Sequence, residues 1–89
     1  MDTKALEYML EIARCRSVTR AARSLGISQS ALSQILLRVE REIGTPLFVR
    51  QKRALKLTEA GELYVEAAES IIDAKNRFLA ELRDPTAEH

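Results

Sequence analysis

The chain has 89 residues, 46% apolar and 30% charged, with a formal net charge of +1 at pH 7. That length holds one small domain, and the composition fits a soluble globular protein and argues against disorder. No apolar run approaches the roughly 18 residues of a membrane span, and "MDTKALEYML" carries an acid where a secretory signal carries basic residues, so no membrane partner and a cytoplasmic location are expected.

Leu6, Met9, Leu10 and Ala13 follow the i, i+3, i+4, i+7 rule, which predicts an amphipathic helix over 3–15. Cys15 has no second cysteine to pair with, which rules out an internal disulfide or a thiol zinc cluster. Two readings stay open for it, a small packed apolar residue and a redox sensor. Ser17, or Thr19 in competition with it, caps a short helix from about Val18 to Leu25. Gly26 ends that helix by tolerating the left-handed backbone, and Ser28 caps the next. In the third helix Leu32, Leu36, Val39 and Ile43 form an apolar stripe, closed by Gly44 and Pro46. The period then changes: "LFVR" and "ALKL" are short β-prone runs on either side of "QKR", which predicts a hairpin with a basic tip. Thr58 caps a last helix in which Ala60, Tyr64, Ala67, Ile71, Ala74, Phe78 and Leu82 recur at threes and fours, and "DPTAEH" after Arg83 is expected to fray.

The small net charge hides a division. Residues 1–58 hold eleven basic and five acidic side chains, a balance of +6, whereas residues 59–89 hold three and eight, a balance of −5. Between Ile12 and Val39 there are five arginines and no acid. Such a footprint suits a surface that meets a polyanion, the alternative being an ordinary solvated basic face.

The stretch "AARSLGISQSALS" sets a glycine among small residues and follows it with hydroxyls and amides. Two helices that cross steeply through a tight turn need a residue free of Cβ strain at the turn and a small side chain where they meet, and Gly26 and Ala22 supply these. With Gly26 ninth in a twenty-residue helix-turn-helix from Val18 to Leu37, the buried positions fall on Ala21, Leu25, Ile27, Leu32 and Ile35, all apolar. A plain helical hairpin in a bundle is the competing reading. Against it stands the exposed face that remains, Gln29, Ser30, Ser33, Gln34 and Arg38, whose short amides and hydroxyls suit base edges and phosphates better than plain solvation.

From Leu6 to about Leu82 the sequence resembles the N-terminal winged helix-turn-helix and linker helix of LysR-type transcriptional regulators. The matching segments are "SVTRAARSLGISQSALS", "VEREIGTPLFVR" and "LTEAG", in that order. The resemblance implies a mainly α fold, three helices plus a small β-hairpin wing over 1–58, followed by a long linker helix over 59–83 and a flexible tail over 84–89. It also implies sequence-specific binding of double-stranded operator DNA in a bacterium, with no cofactor, and an effector-binding domain after the linker. These 89 residues do not hold that domain, so a DNA-binding fragment or a short relative is expected.

Gln29, Ser30 and Ser33 occupy positions that in relatives face bases and nearby phosphates, and Thr19 and Ser28 sit where the motif commonly touches the backbone. Ser30 stands where many relatives have proline, Gln34 where arginine is frequent and Ile35 where a polar residue is usual. Ile35 is therefore expected in the core. Arg50 and Arg53 match basic wing positions that in relatives approach phosphates or the minor groove, and Lys52 adds charge; a merely solvated hairpin tip is the alternative. The resemblance further implies that the last helix pairs antiparallel with its twin through Ala60, Tyr64, Ala67, Ile71, Ala74, Phe78 and Leu82, and that the full-length protein forms a dimer or tetramer. A helix folded back on its own domain through Leu63 and Val65 is the other reading. An enzyme is not expected, because the single histidine, His89, sits at the chain end and no nucleophile or paired-carboxylate arrangement stands out. An adapter that uses the winged fold to bind protein remains a second functional class.

Overall fold

The computed structural model describes residues 2–83, and the expected frayed tail lies outside them. Helix α1, Lys4–Cys15, starts at Thr3, whose Oγ1 donates to the Glu7 carboxylate at 2.6 Å, and ends at Arg16 in the left-handed region, φ +55°. Helix α2, Val18–Leu25, is capped by Ser17 rather than Thr19: the Ser17 hydroxyl accepts the Arg20 N–H at 3.1 Å. Its far end closes as a Schellman motif, with the Ile27 N–H donating to the Ala22 carbonyl at 3.0 Å, the Gly26 N–H to that of Arg23 at 3.3 Å, and Gly26 at φ +72°. No atom lies within 4 Å of where a Gly26 Cβ would stand, so the glycine serves the backbone angle and not a close approach.

Helix α3, Gln29–Ile43, begins at Ser28, whose hydroxyl accepts the Ala31 N–H at 3.0 Å. Two antiparallel strands follow, β1, Phe48–Gln51, and β2, Ala54–Leu57, paired Phe48 with Leu57 through Gln51 with Ala54. The turn is narrower than "QKR" suggests. Gln51 belongs to β1, only Lys52 and Arg53 make the loop, and both have positive φ, as two-residue hairpins with matched twist require. The hairpin is tied to the end of α1: the Leu55 N–H donates to the Arg16 carbonyl at 3.0 Å, and Arg16 Nε donates to the Leu55 carbonyl at 3.3 Å.

Helix α4, Glu59–Arg83, leaves the hairpin through a short network. The Thr58 hydroxyl accepts the Gly61 N–H at 3.0 Å and donates to the Pro46 carbonyl at 2.7 Å. The Leu47 carbonyl accepts the Thr58 N–H at 3.0 Å, and the Leu47 N–H donates to the Glu40 carboxylate at 2.6 Å. Met9, Ile12, Ala21, Ala22, Leu32, Val39 and Leu47 form the buried core, with Leu25, Ile27, Ile35, Leu36, Phe48, Ala60 and Tyr64 among the half-buried residues packed on it. All five apolar positions expected of the helix-turn-helix therefore face inward. Ile43 departs from its stripe: it is 43% exposed.

The face of α4 that meets the domain takes in only the first part of the stripe expected to meet a twin, Ala60 and Tyr64. Ala68 is fully buried, Val65 and Ile72 line a cavity with Leu10 and Ala13 of α1, and Lys75 Nζ donates to Thr3 Oγ1 at 2.7 Å and lies 3.6 Å from the Glu7 carboxylate. Of the two residues named for the alternative fold-back reading, Val65 lines that cavity and Leu63 is 65% exposed. Tyr64 packs on the core near the end of α3, where burial first and the Glu42 charge second push its hydroxyl above its ordinary pKa.

Candidate nucleic-acid interface

Capping decides what the start of α3 presents. Ser28 meets an orphan N–H with its oxygen, and no acidic residue stands in the first turn, so the positive end of the helix dipole is uncompensated. Gln29, Ser30, Gln34 and Arg38 are exposed and Ser33 is half-buried. Ser30, Gln34 and Arg38 follow one another at four residues along one side of the helix, with Ser33 three after Ser30 beside them. Leu37 lies among them, 52% exposed, and was not singled out from sequence. Its distance of three from Gln34 and four from Ser33, off the Leu32–Leu36–Val39 stripe, is the signal that marks it. Such a face offers amide and hydroxyl donors and acceptors for base edges and an aliphatic surface for a thymine methyl.

Arg50 stands exposed on β1 opposite Leu55, and Lys52 and Arg53 are exposed in the turn. Thr19 is exposed in the first turn of α2. Two further arginines are brought beside the turn that spacing alone does not connect to it. Arg16 and Arg20, together with Cys15, Ser17, Arg53 and Ala54, line a cleft of about 320 Å³ between the wing and the start of α2. Cys15 is half-buried at its edge and packs against the core.

The pairing of charges separates this surface from the rest of the molecule. Arg14 binds the Glu11 carboxylate at 2.5 Å, Lys75 lies near Glu7 and Arg77 lies 3.4 Å from Asp73. Among the described residues, none of the basic side chains of α2, α3 and the wing has a carboxylate partner. Glu11 belongs to the helix packing instead: hydrogen bonds from Arg14 first and Ser24 second hold its carboxyl at about 2, well below the usual range, and the Ser24 bond ties α1 to α2.

The seven α4 residues expected to meet a twin divide. Ala60 and Tyr64 pack on the domain's own core, because the first two turns of α4 lie over it. Ala67, Ile71, Ala74, Phe78 and Leu82 form an exposed stripe, with Ile71 at 50%, Phe78 at 47% and Leu82 at 62% exposure. No helix among the described residues is long and apolar enough to cross a membrane, and none of their side chains form a group of three metal-ligating residues.

The family described as bacterial regulatory helix-turn-helix protein, lysR family, matches residues 3–62. The HTH-type transcriptional regulator BudR of Klebsiella aerogenes is 47% identical over 83 residues, 93% of this chain and 58% of its own length. The regulator of the same name from Raoultella terrigena is 53% identical over 70 residues, 78% of this chain and 24% of its own. The chain thus spans a little over half of the first relative and about a quarter of the second. Among solved structures, the BenM DBD in its catB site 1 DNA complex matches at a TM-score of 0.88 and 26% identity over 100% of both chains. The CbnR DBD in its DNA complex matches at 0.87 and 26% identity, over 98% of this chain and 100% of that one. The chain belongs to the LysR family of bacterial regulatory helix-turn-helix proteins, and its helices and hairpin are that family's winged helix-turn-helix.

Proposed function

We propose that this chain is the DNA-binding part of a bacterial transcriptional regulator, a cytoplasmic protein with no catalytic role, which binds double-stranded operator DNA sequence-specifically as a homodimer. The start of α3 enters the major groove, where Gln29, Ser30, Ser33 and Gln34 meet base edges and phosphates. Thr19, Ser28 and Arg38 hold the flanking backbone, and Arg50, Lys52 and Arg53 carry the wing to the adjacent minor groove or its phosphates. The observation that carries this reading is that, among the described residues, the basic side chains around an uncharged, hydrogen-bonding helix face have no carboxylate partner. The BenM and CbnR domains of the same shape were crystallised with DNA, which supports the same partner here.

One such module buries roughly 600–1,000 Å² on DNA, too little for the affinity that regulation needs. Two copies are required, and the exposed Ala67, Ile71, Ala74, Phe78 and Leu82 stripe supplies the contact. The acidic residues of α4 then keep away from the nucleic acid. A full-length protein adds an effector domain and the possibility of a tetramer.

Selection of bound duplexes from a random pool with the purified chain tests this reading. The expected winner is partly palindromic, with half-sites one helical turn or a multiple apart. A pool that shows no enrichment, together with binding that is insensitive to salt between about 50 and 200 mM, replaces it with the protein-adapter reading.

A further inference from the structure

A duplex's major groove and its neighbouring minor groove are separated by one sugar–phosphate strand. A protein that places a helix in the first and a wing at the second straddles that strand at the seam between the two elements. Here the seam is explicit. The wing joins the helices through the two hydrogen bonds between Arg16 and Leu55, and directly beside them Arg16, Arg20 and Arg53 line one cleft from three different elements, the end of α1, helix α2 and the hairpin turn.

The side chains of this cleft are free to take an anion. Arg16 spends only Nε on the Leu55 carbonyl, which leaves its terminal nitrogens, and neither Arg20 nor Arg53 has a side-chain partner among the described residues. The remaining lining, Cys15, Ser17 and Ala54, brings no carboxylate. Three guanidinium groups around one small cleft repel one another unless an anion neutralises them, and their forked donors match phosphate oxygens.

We propose that Arg16, Arg20 and Arg53 form a phosphate clamp that grips the backbone strand lying between the grooves met by α3 and the wing. This rests on the DNA-binding reading, which leaves Arg16 and Arg20 without a role. The clamp reads no sequence. It fixes how far the wing is rotated about the duplex relative to α3, and so sets the register in which α3 meets the bases.

Fluorescence anisotropy with the full chain and a labelled mixed-sequence duplex, followed from about 50 to 200 mM salt, tests the clamp. Arg20→Ala is expected to weaken binding roughly tenfold on every duplex and to lower the slope of log affinity against log salt by about 1. Arg16→Gly, which suits the left-handed backbone at that position, is expected to melt cooperatively and to lose the same slope, while Arg20→Lys keeps it. Arg77→Ala on α4 leaves both quantities at the parent values. Parent slopes in Arg20→Ala and Arg16→Gly, with duplex binding intact, overturn the clamp and leave the DNA-binding reading standing. Salt-insensitive binding by the parent overturns both. Inorganic phosphate that shifts the arginine side-chain NMR signals, with slopes unchanged in the variants, assigns the cleft to a free anion and overturns the backbone assignment.

Discussion

Gly61→Ala is the sharpest test of how the helix that leaves the wing is seated. A Cβ at position 61 would stand 2.1 Å from the Leu47 carbonyl oxygen and 2.9 Å from Leu57 Cδ2. Ordinary carbon contacts lie at about 3.5–4.0 Å, so α4 must withdraw by an ångström or more. The Leu57 methyl can swing aside, but the carbonyl cannot: Leu47 is 1% exposed, its oxygen accepts the Thr58 N–H and its own N–H is held by Glu40. Overpacking of this kind costs about 1–3 kcal/mol, and an immovable backbone atom places it at or beyond the upper end. Helix propensity returns about 1 kcal/mol, because alanine is the better helix former. A net loss of about 2 kcal/mol lowers the melting temperature of a domain this size by roughly 8–16 °C. The assay is thermal unfolding followed by circular dichroism at matched protein concentrations, since a dimer's stability depends on concentration. At an open helical site glycine to alanine stabilises, so the sign decides. A variant that melts at or above the parent temperature refutes the close approach of α4 to Leu47.

Gln29→Ala is expected to cut discrimination between selected and random duplexes by about 1–3 kcal/mol, whereas Arg53→Ala weakens both alike; equal losses for Gln29→Ala remove it from base reading. Phe78→Glu is expected to shift the chain to monomer in sedimentation equilibrium, because each copy forgoes roughly 1.5–3 kcal/mol of burial, and an unchanged dimer takes the stripe out of the interface. Lys52→Asn combined with Arg53→Gly fits the positive φ of the hairpin turn and is expected to raise the melting temperature while weakening duplex binding; a lower melting temperature refutes strain at the turn. Glu11 carries a folded pKa of about 2 against an ordinary 4.5, so its contribution is complete above pH 4.5 and fades as pH falls toward 2. Since the group is near the surface, screening reduces that contribution to roughly 1 kcal/mol. Glu11→Gln is expected to flatten stability against pH in this window in acid denaturation, and an unaltered curve assigns the acid sensitivity to other carboxylates.

The parts of the fold legible in the sequence are those set by local chemistry. Ser17, Ser28 and Thr58 cap helices where hydroxyls precede apolar periods, Gly26 and Gly44 end them with left-handed backbone, and Ala21 and Ala22 are buried where two helices need small residues. What could not be read is set by where elements meet. Nothing in the spacing of α4 says that Ala60 and Tyr64 face the domain's core while Phe78 faces water, since both lie on one apolar stripe and only the position of the domain beneath the first turns separates them. Likewise Arg16 and Arg53 are 37 positions apart, and only the hydrogen bonds of Arg16 to Leu55 bring them to one cleft. Glycine 61 was visible as a letter of "LTEAG", but its steric reason depends on the distant Leu47 carbonyl.

Backbone strain concentrates at the wing and its seam with α1. Among the described residues, three that are not glycine have positive φ, Arg16 at +55°, Lys52 at +50° and Arg53 at +69°. All three are basic, and two of them line the proposed clamp. The left-handed backbone costs a side-chain-bearing residue on the order of 1 kcal/mol, a sizeable part of the roughly 5–15 kcal/mol that hold a domain together. The same chain places glycine at its other two left-handed positions, Gly26 and Gly44, where no atom stands within 4 Å of a would-be Cβ. Glycine thus serves where the backbone alone must turn, and long cations stand where a turn also faces the proposed DNA strand. Mutual support makes the strain tolerable: Arg16 is held by both of its bonds to Leu55, and the hairpin turn by the four paired positions behind it. Stability surrendered at basic residues alone is the pattern expected when a surface is shaped for a polyanion.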